Sequence, residues 1–334
     1  MLVSIVIPCH NEMAVLPETL RRLAEVADRL KSEAEFEFIF VDDGSRDDTA
    51  RLLHELAGAD DRVRGLRLSR NFGQQIATTA GLENATGDAV VVMDADLQDP
   101  PELIETMLAR WREGYHVAYA QRTERTGETA FKLWSAKIFY RLVQRISRVS
   151  IPADTGDFRL MDRRVVDAFL RMPEQDRFLR GMVSWVGYRQ VAVPYKREVR
   201  FAGETNYPFI KMLRFAIDGI VSFSFAPLRL AVWTGFFAIG VAFLGIIYAL
   251  MLRFFFDPSQ WVRGWASLFV AILFMGGVQL VSLGIIGEYV GRIYGEVKQR
   301  PLYLVWERFG FREPEPANEE PDMISAPREP SKTI

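Results

Sequence analysis

The chain has one cysteine, Cys9, in 334 residues. A single thiol excludes an internal disulfide framework and a cysteine-rich zinc site, and it fits a reducing compartment. No charge of either sign dominates: 41 Lys and Arg face 43 Asp and Glu, for a net charge of −2. Nucleic acid is therefore not an expected partner. Three catalytic signatures are missing as well. There is no Walker-type loop, no G-x-S-x-G elbow and no H-E-x-x-H helix, which argues against a kinase, a serine hydrolase and a zinc protease. No internal repeat is visible. The first residues lack the basic start, apolar centre and cleavage site of a signal peptide. Instead Leu2-Val3-Ser4-Ile5-Val6-Ile7 reads at once as a strand.

Long apolar runs are absent up to about residue 205 and present after it. Leu230–Leu252 and Trp265–Gly287 are uncharged, mostly apolar runs of 23 residues each. A helix needs roughly 20 such residues to cross the hydrocarbon core. Two runs so close together favour a transmembrane hairpin over a buried pair of core helices. The Arg253–Gly264 linker carries two basic residues, Arg253 and Arg263, whereas the outer flanks carry Lys211, Arg214, Arg229, Arg292, Lys298, Arg300 and Arg308. The positive-inside bias then puts both termini in the cytoplasm. Phe254, Phe255, Phe256 and Trp261 of the linker suit a membrane interface. From Arg312 onward the chain is rich in Pro and Glu and reads as a disordered cytoplasmic tail.

The first part alternates strand and helix patterns. Strands are expected at 2–8, Phe36–Val41, Val63–Leu68, Ala89–Met93 and His116–Ala120. Helices are expected at about Val15–Leu30, Asp47–Ala57, after Gly73 to about Ala85, and after Pro100-Pro101. This alternation predicts an α/β fold with a mostly parallel sheet and helices on both faces. The segment from Phe131 to Ser147 is helical in pattern and basic, fitting either a lipid-surface helix or an ordinary amphipathic one. Pro208–Phe225 has a similar mixed character.

Four expected strand ends carry polar groups: Pro8-Cys9-His10-Asn11-Glu12, Asp42-Asp43-Gly44-Ser45, Asn71-Phe72-Gly73 and Asp94-Ala95-Asp96. In a parallel sheet these ends meet at one edge and form a binding crevice. Asp42 and Glu12 are candidates for nucleoside hydroxyl and N–H groups. Capping of the following helix is the alternative, and Asp43 and Ser45 fit it better than Asp42. Asp94 and Asp96, one residue apart on extended backbone, can point to the same side. Two carboxylates that close repel unless a cation sits between them, and a hard divalent ion accepts such oxygen ligands. An acidic, Pro-terminated turn is the alternative there.

With these motifs the chain resembles the family 2 glycosyltransferases of GT-A (Rossmann-like) fold. The matching pieces are Val3-Ser4-Ile5-Val6-Ile7-Pro8 with Asn11-Glu12, then Val41-Asp42-Asp43-Gly44-Ser45, then Met93-Asp94-Ala95-Asp96-Leu97-Gln98-Asp99-Pro100. A closer resemblance, to polyprenyl-phosphate glycosyltransferases such as dolichol-phosphate mannose synthase and bactoprenol glucosyltransferase, rests on further pieces. They are Gln121-Arg122, Thr155-Gly156-Asp157-Phe158-Arg159-Leu160, Arg200-Phe201-Ala202-Gly203-Glu204-Thr205-Asn206-Tyr207 and the hairpin. It covers residues 1 to about 310.

The resemblance implies roles. Asp94, Asp96 and Gln98 would bind Mg²⁺ or Mn²⁺ and the donor diphosphate; Pro8, Asn11, Glu12 and Asp42 would hold the nucleoside. Asp157 would face the sugar–acceptor junction, as base or as steering group, with Asp96 counted as catalytic beside it. Arg122 and Arg200, and less directly Lys132 and Ser135, would bind the lipid phosphate. Many relatives have a basic residue where this chain has Asn206, so Asn206 is given no such role.

The expected activity is metal-dependent, inverting transfer of one sugar from a nucleotide sugar to polyprenyl (undecaprenyl) phosphate at the cytoplasmic face of the inner membrane, for cell-envelope glycosylation. UDP-glucose is the favoured donor, with GDP-mannose left open. A glycerolipid or polysaccharide acceptor and a non-catalytic membrane scaffold are the alternatives; the chain lacks the Gln-x-x-Arg-Trp signature of processive synthases. The expected organisation is a catalytic domain at 1–205, a juxtamembrane helix at 206–228, two spans within 229–290, a cytoplasmic segment at 291–311 and a tail at 312–334. A homo-oligomer is compatible with two spans, though nothing in the sequence fixes its number.

Overall fold

The computed structural model describes residues 1–123, 155–196, 226–255 and 265–311. Lys132, Ser135 and Arg200 lie outside the described residues, as do the basic Phe131–Ser147 segment, Pro208–Phe225, most of the linker and the tail.

Eight strands form one sheet: β1 (Leu2–Cys9), β2 (Glu35–Asp42), β3 (Val63–Leu68), β4 (Ala89–Val92), β5 (Val117–Arg122), β6 (Thr155–Asp162), β7 (Gln190–Tyr195) and β8 (Val305–Phe309). Their order is β7-β5-β6-β4-β1-β2-β3-β8. β1 pairs in parallel with β2 and β4, and β2 with β3. β6 lies antiparallel between β4 and β5, and β8 lies antiparallel on β3. The sheet is therefore mixed but mostly parallel. The ends of β1 to β4 share one edge, as expected. β6, β7 and β8 had no counterpart in the sequence reading.

Side chains alternate along each strand, so each buried strand feeds two cores. On one face Val3, Ile5, Phe38, Phe40 and Val91 pack against α1 (Leu16–Arg29), α2 (Thr49–Ala59) and α4 (Leu103–Arg112), through Leu16, Leu23, Leu53 and Ile104. On the other, Val6, Ile39, Val41, Val90 and Met161 meet α3 (Gln74–Asn84), α5 (Arg163–Leu170) and α6 (Leu179–Trp185). Each fully buried Leu, Ile or Phe stabilises by roughly 1.5–3 kcal/mol. Glu37 is one of the buried charges of the sheet. It accepts from Thr86 N at 2.8 Å and is also bonded by Ser4 Oγ and Arg64, so its burial is compensated.

Two long helices follow, α7 (Ala226–Phe255, 30 residues) and α8 (Trp265–Val297, 33 residues). They pack on each other as a hairpin. At 1.5 Å per residue α8 is about 50 Å long. Trp233, Phe237, Leu244, Leu280 and Val281 are more than half exposed on the hairpin. Among the described residues one helix is long and apolar enough to cross a membrane, over Phe274–Val297.

The last turns of α8 touch the sheet domain. Arg292 Nη1 donates to Asp176 at 3.3 Å, and Gln175 N donates to Glu296 at 2.9 Å. The chain then returns to the sheet as β8. Phe309 stands opposite Gly65 of β3 and stacks on His54 of α2, with ring centroids 3.9 Å apart. A Cβ on Gly65 would come within 1.9 Å of the Phe309 ring. Glycine at that position admits the ring.

Candidate active site

The turns after β1 and β2 are latched together. Asn11 takes a positive φ of 58°. Its N–H donates to Ser45 Oγ at 2.9 Å, and its Oδ1 accepts from Arg46 N at 2.8 Å. Glu12 N donates to Thr49 Oγ1 at 3.1 Å, and Pro8 lies in β1 opposite Val41. Asp42 is fully buried. Its Oδ1 accepts from Ser45 N at 2.9 Å. Its Oδ2 is buried without a hydrogen-bond donor, and Arg67 Nε stands 3.6 Å away. An acceptor left over in the interior suits a ligand N–H or O–H.

Asp43 and Ser45 do not cap the following helix; the residue before α2 is Asp48, whose side chain does not cap it, and Asp47 Oδ1 instead accepts from Thr49 N at 3.1 Å. The Asp42–Ser45 turn folds across the sheet edge instead. Asp43 accepts from Phe72 N at 2.7 Å and Gly73 N at 2.8 Å, fixing the loop that starts α3. Burial nevertheless raises its carboxyl above the usual range, against those two bonds.

That loop delivers two consecutive glutamines. Gln74 Nε2 donates to Asp94 Oδ1 at 2.6 Å, and Gln75 Nε2 donates to Asp157 Oδ2 at 2.9 Å. Asp94 and Asp96 follow β4. Asp96 Oδ1 accepts from Gln98 N at 3.1 Å across Leu97, which holds a positive φ of 56°. A buried leucine in that region is strained, and such strain collects at functional turns. The Asp94 carboxyl is pushed up to about 7, first by burial and then by Asp157, Asp99 and Asp96; Arg180 opposes them.

Asp157 lies in β6 and is buried. Arg180 Nε donates to its Oδ1 at 2.8 Å, and Arg159 Nη2 stands 4.0 Å behind. Burial would raise its carboxyl, but the two arginines and Gln75 outweigh that and hold it below the usual range. Arg122 Nε donates to Tyr195 Oη at 3.1 Å, and Tyr195 in turn donates to Asp99. Burial and Asp99 push the Tyr195 phenol up to about 12.

The structure thus gathers Asp94, Asp96, Asp99 and Asp157 at one edge with Arg122 and Arg180 beside them. Among the described residues no three His, Cys, Asp or Glu groups form a ready metal cage. Two carboxylates still fit Mg²⁺ or Mn²⁺, which bind through one or two carboxylates plus substrate phosphates.

The model for glycosyl transferase family 2 matches residues 4–170, and one for the GtrB C-terminal hairpin matches residues 226–293. The chain belongs to glycosyl transferase family 2. This glycosyltransferase is 51% identical over 308 residues to the uncharacterized glycosyltransferase YkcC of Bacillus subtilis (strain 168), covering 92% of this chain and 94% of that one. It is 49% identical to the uncharacterized glycosyltransferase sll0501 of Synechocystis, over 92% of this chain and 96% of the relative. It is 40% identical to the prophage bactoprenol glucosyl transferase homolog of Escherichia coli (strain K12), over 91% and 98%.

Five site residues of the glycosyltransferase escaped the sequence reading: Gln74, Gln75, Asp99, Arg180 and Tyr195. Asp99 stood inside a recognised motif. Gln74-Gln75 follow the Asn71-Phe72-Gly73 strand end, so polar side chains opening a helix at the crevice were the available signal. Arg180 and Tyr195 gave none, because only tertiary pairing brings them to β6.

Proposed function

We propose that this enzyme transfers a single glucose from UDP-glucose to polyprenyl (undecaprenyl) phosphate, with inversion, at the cytoplasmic face of the membrane. The observation that carries the reading is the extent of the match to enzymes named bactoprenol glucosyl transferase. It takes in the carboxylate crevice and the hairpin together, over 91% of the chain.

Asp42 receives the nucleoside through its unmet Oδ2, and Pro8, Asn11 and Glu12 shape the wall of that pocket. Asp94, Asp96 and Gln98 would hold the divalent cation, whose Lewis acidity stabilises the leaving nucleoside diphosphate. Asp157 stands where the sugar meets the acceptor. The acceptor phosphate is largely ionised near neutral pH, with a second pKa of about 6, and is already a nucleophile. Arg122 is the described candidate for binding it; Lys132, Ser135 and Arg200 join it by resemblance. In-line attack by the phosphate oxygen on the anomeric carbon expels the diphosphate and inverts that centre.

The hairpin brings the crevice to an acceptor whose tail lies in the bilayer. β3 precedes the hairpin and β8 follows it, yet they are neighbours in one sheet. Both flanks therefore lie on one side, which supports two crossings. Basic flanks support the cytoplasmic side. The test is transfer of radiolabelled glucose from UDP-glucose to undecaprenyl phosphate with Mg²⁺ or Mn²⁺, run beside GDP-mannose. A lipid-linked product that requires the acceptor phosphate is expected. A glycerolipid product, or preference for GDP-mannose, would overturn the acceptor or the donor respectively.

A further inference from the structure

We infer that Gln75 is a positioning residue for the transfer: its amide fixes Asp157 as a carboxylate that holds a hydroxyl of the donor sugar and takes up no proton. The inference rests on the transferase reading above and deepens it. Leu179 N donates to Gln75 Oε1 at 2.9 Å. A backbone N–H can only donate, so this contact fixes which end of the amide is oxygen. The other end is the NH₂ group, and it donates to Asp157 Oδ2 at 2.9 Å. Arg180 Nε donates to Oδ1 at 2.8 Å. Arg159 secures the main chain, donating to the carbonyls of Asp157 at 3.2 Å and Gly156 at 2.9 Å. Asp157 is thus held by groups from α3, from α6 and from β6 itself.

Each oxygen of Asp157 faces a donor that has nothing to accept with. Protonating either oxygen weakens the bond it receives, so the surroundings favour the ionised form. Burial raises this carboxyl, and Arg180, Arg159 and Gln75 together bring it below the usual range. The transfer asks for no base. The acceptor phosphate is largely ionised near neutral pH. Its oxygen forms the bond to the anomeric carbon, the bond from that carbon to the diphosphate breaks, and the electron pair leaves on the diphosphate. No proton changes hands. A carboxylate offers about four lone-pair sites, and Asp157 uses one on each oxygen. The others need an O–H or N–H. Ionised phosphates bring none, whereas the sugar between them brings hydroxyls. Gln74, one residue earlier, donates to Asp94 on the diphosphate side at 2.6 Å. The first turn of α3 therefore serves the diphosphate carboxylate and the sugar carboxylate through separate amides.

Titration calorimetry of the full-length protein with Mg²⁺ separates sugar from diphosphate. Gln75→Met keeps the length of the side chain and removes both hydrogen bonds. It is expected to raise the Kd for UDP-glucose about 10- to 100-fold, the loss of a hydrogen bond to a charged group, and to leave the Kd for UDP unchanged. Gln75→Glu still accepts from Leu179 N but sets a second carboxylate against Asp157, so it should bind UDP-glucose at least as weakly. One monodeoxy analogue of UDP-glucose should bind wild type and Gln75→Met alike, because the hydroxyl that Asp157 holds is missing from it. Thermal melting checks that both variants fold. A Gln75→Glu protein with wild-type affinity for UDP-glucose would overturn the inference and reduce Gln75 to an anchor for Leu179. So would a loss in Gln75→Met that is equal for every monodeoxy analogue, or one confined to kcat, which would mark Asp157 as a base. A wild type that binds every analogue as tightly as UDP-glucose overturns it without any variant. The titrations contain no acceptor, so failure to use polyprenyl phosphate would end the acceptor reading alone. A preference for GDP-mannose would change the donor reading, and GDP-mannose against GDP then decides Gln75.

Discussion

Replacing Asp42 by Asn separates nucleotide binding from folding. The swap keeps shape and volume, so it opens no cavity. Asn can keep the Oδ1 bond from Ser45 N, 2.9 Å long. It removes the charge at Oδ2, which sits 3.6 Å from Arg67 and has no hydrogen bond. At an effective dielectric of about 20 that pair attracts by about 4–5 kcal/mol. The Arg67 side chain is 37% exposed, so solvent screens part of this attraction. Burying the carboxylate costs several kcal/mol in the opposite direction. The two effects nearly cancel, and stability should change by less than about 1 kcal/mol. Binding should change much more. A charged acceptor facing a ligand N–H or O–H contributes about 1.5–3 kcal/mol, so Kd for UDP should rise roughly 10- to 150-fold. Calorimetric titration with UDP, beside thermal melting, reads both quantities. An unchanged Kd with a lowered melting temperature would refute the reasoning and make Asp42 a structural partner of Arg67. Asp43→Asn provides the contrast. It weakens the hold on Phe72 N and Gly73 N, and should destabilise by about 1–3 kcal/mol.

Other outcomes follow from the same geometry. Asp96→Asn should lower transfer at least about 100-fold even at saturating Mg²⁺ or Mn²⁺, a typical loss for one electrostatic group at the reacting centre; near-wild-type transfer would sink the metal assignment. EDTA should abolish wild-type transfer and weaken UDP binding, with added Mg²⁺ or Mn²⁺ restoring both. Gly65→Val should expel the Phe309 ring and loosen β8, costing about 1–3 kcal/mol and exposing the segment after α8 to limited proteolysis. Glu37→Ala would leave Arg64, the buried Ser4 hydroxyl and the N–H and hydroxyl of Thr86 without their acceptor, and should cost about 3–5 kcal/mol by chemical denaturation.

The first half of the site was legible because its chemistry is local. Parallel strands buried on both faces read as apolar runs, and β1, β2 and β4 end abruptly at Asn11, Asp42 and Asp94. β6 was hidden because it opens with Thr155-Gly156-Asp157, which reads as a turn. Its strand character depends on pairing with β4 and β5. The same pairing places Asp157 in the sheet rather than in a turn. Arg180 carried no signal in the sequence, because only its bond to Asp157 and the hold of Gln75 on Leu179 N bring it to the site. β8 did carry a signal: Val305, Glu307 and Phe309 are partly covered while Trp306 and Arg308 are exposed, a two-residue period. Five residues after a long apolar helix were too few to claim as a strand when the partner lay more than 200 residues earlier.

That distance has a consequence for how the protein is made. At roughly 5–20 residues per second, the ribosome needs on the order of 10–50 s to pass from Gly65 to Phe309. For all of that time β3 is the bare outer strand of a nascent sheet, the kind of edge that invites pairing with other chains. The strand that covers it arrives only after the entire hairpin has been synthesised. The edge is closed last, by a segment that cannot exist before the two hairpin helices do. A chain that stalls or terminates within the hairpin would leave the ribosome with its β3 edge open, and quality-control proteases and chaperones would meet an unfinished sheet rather than a soluble, untethered transferase.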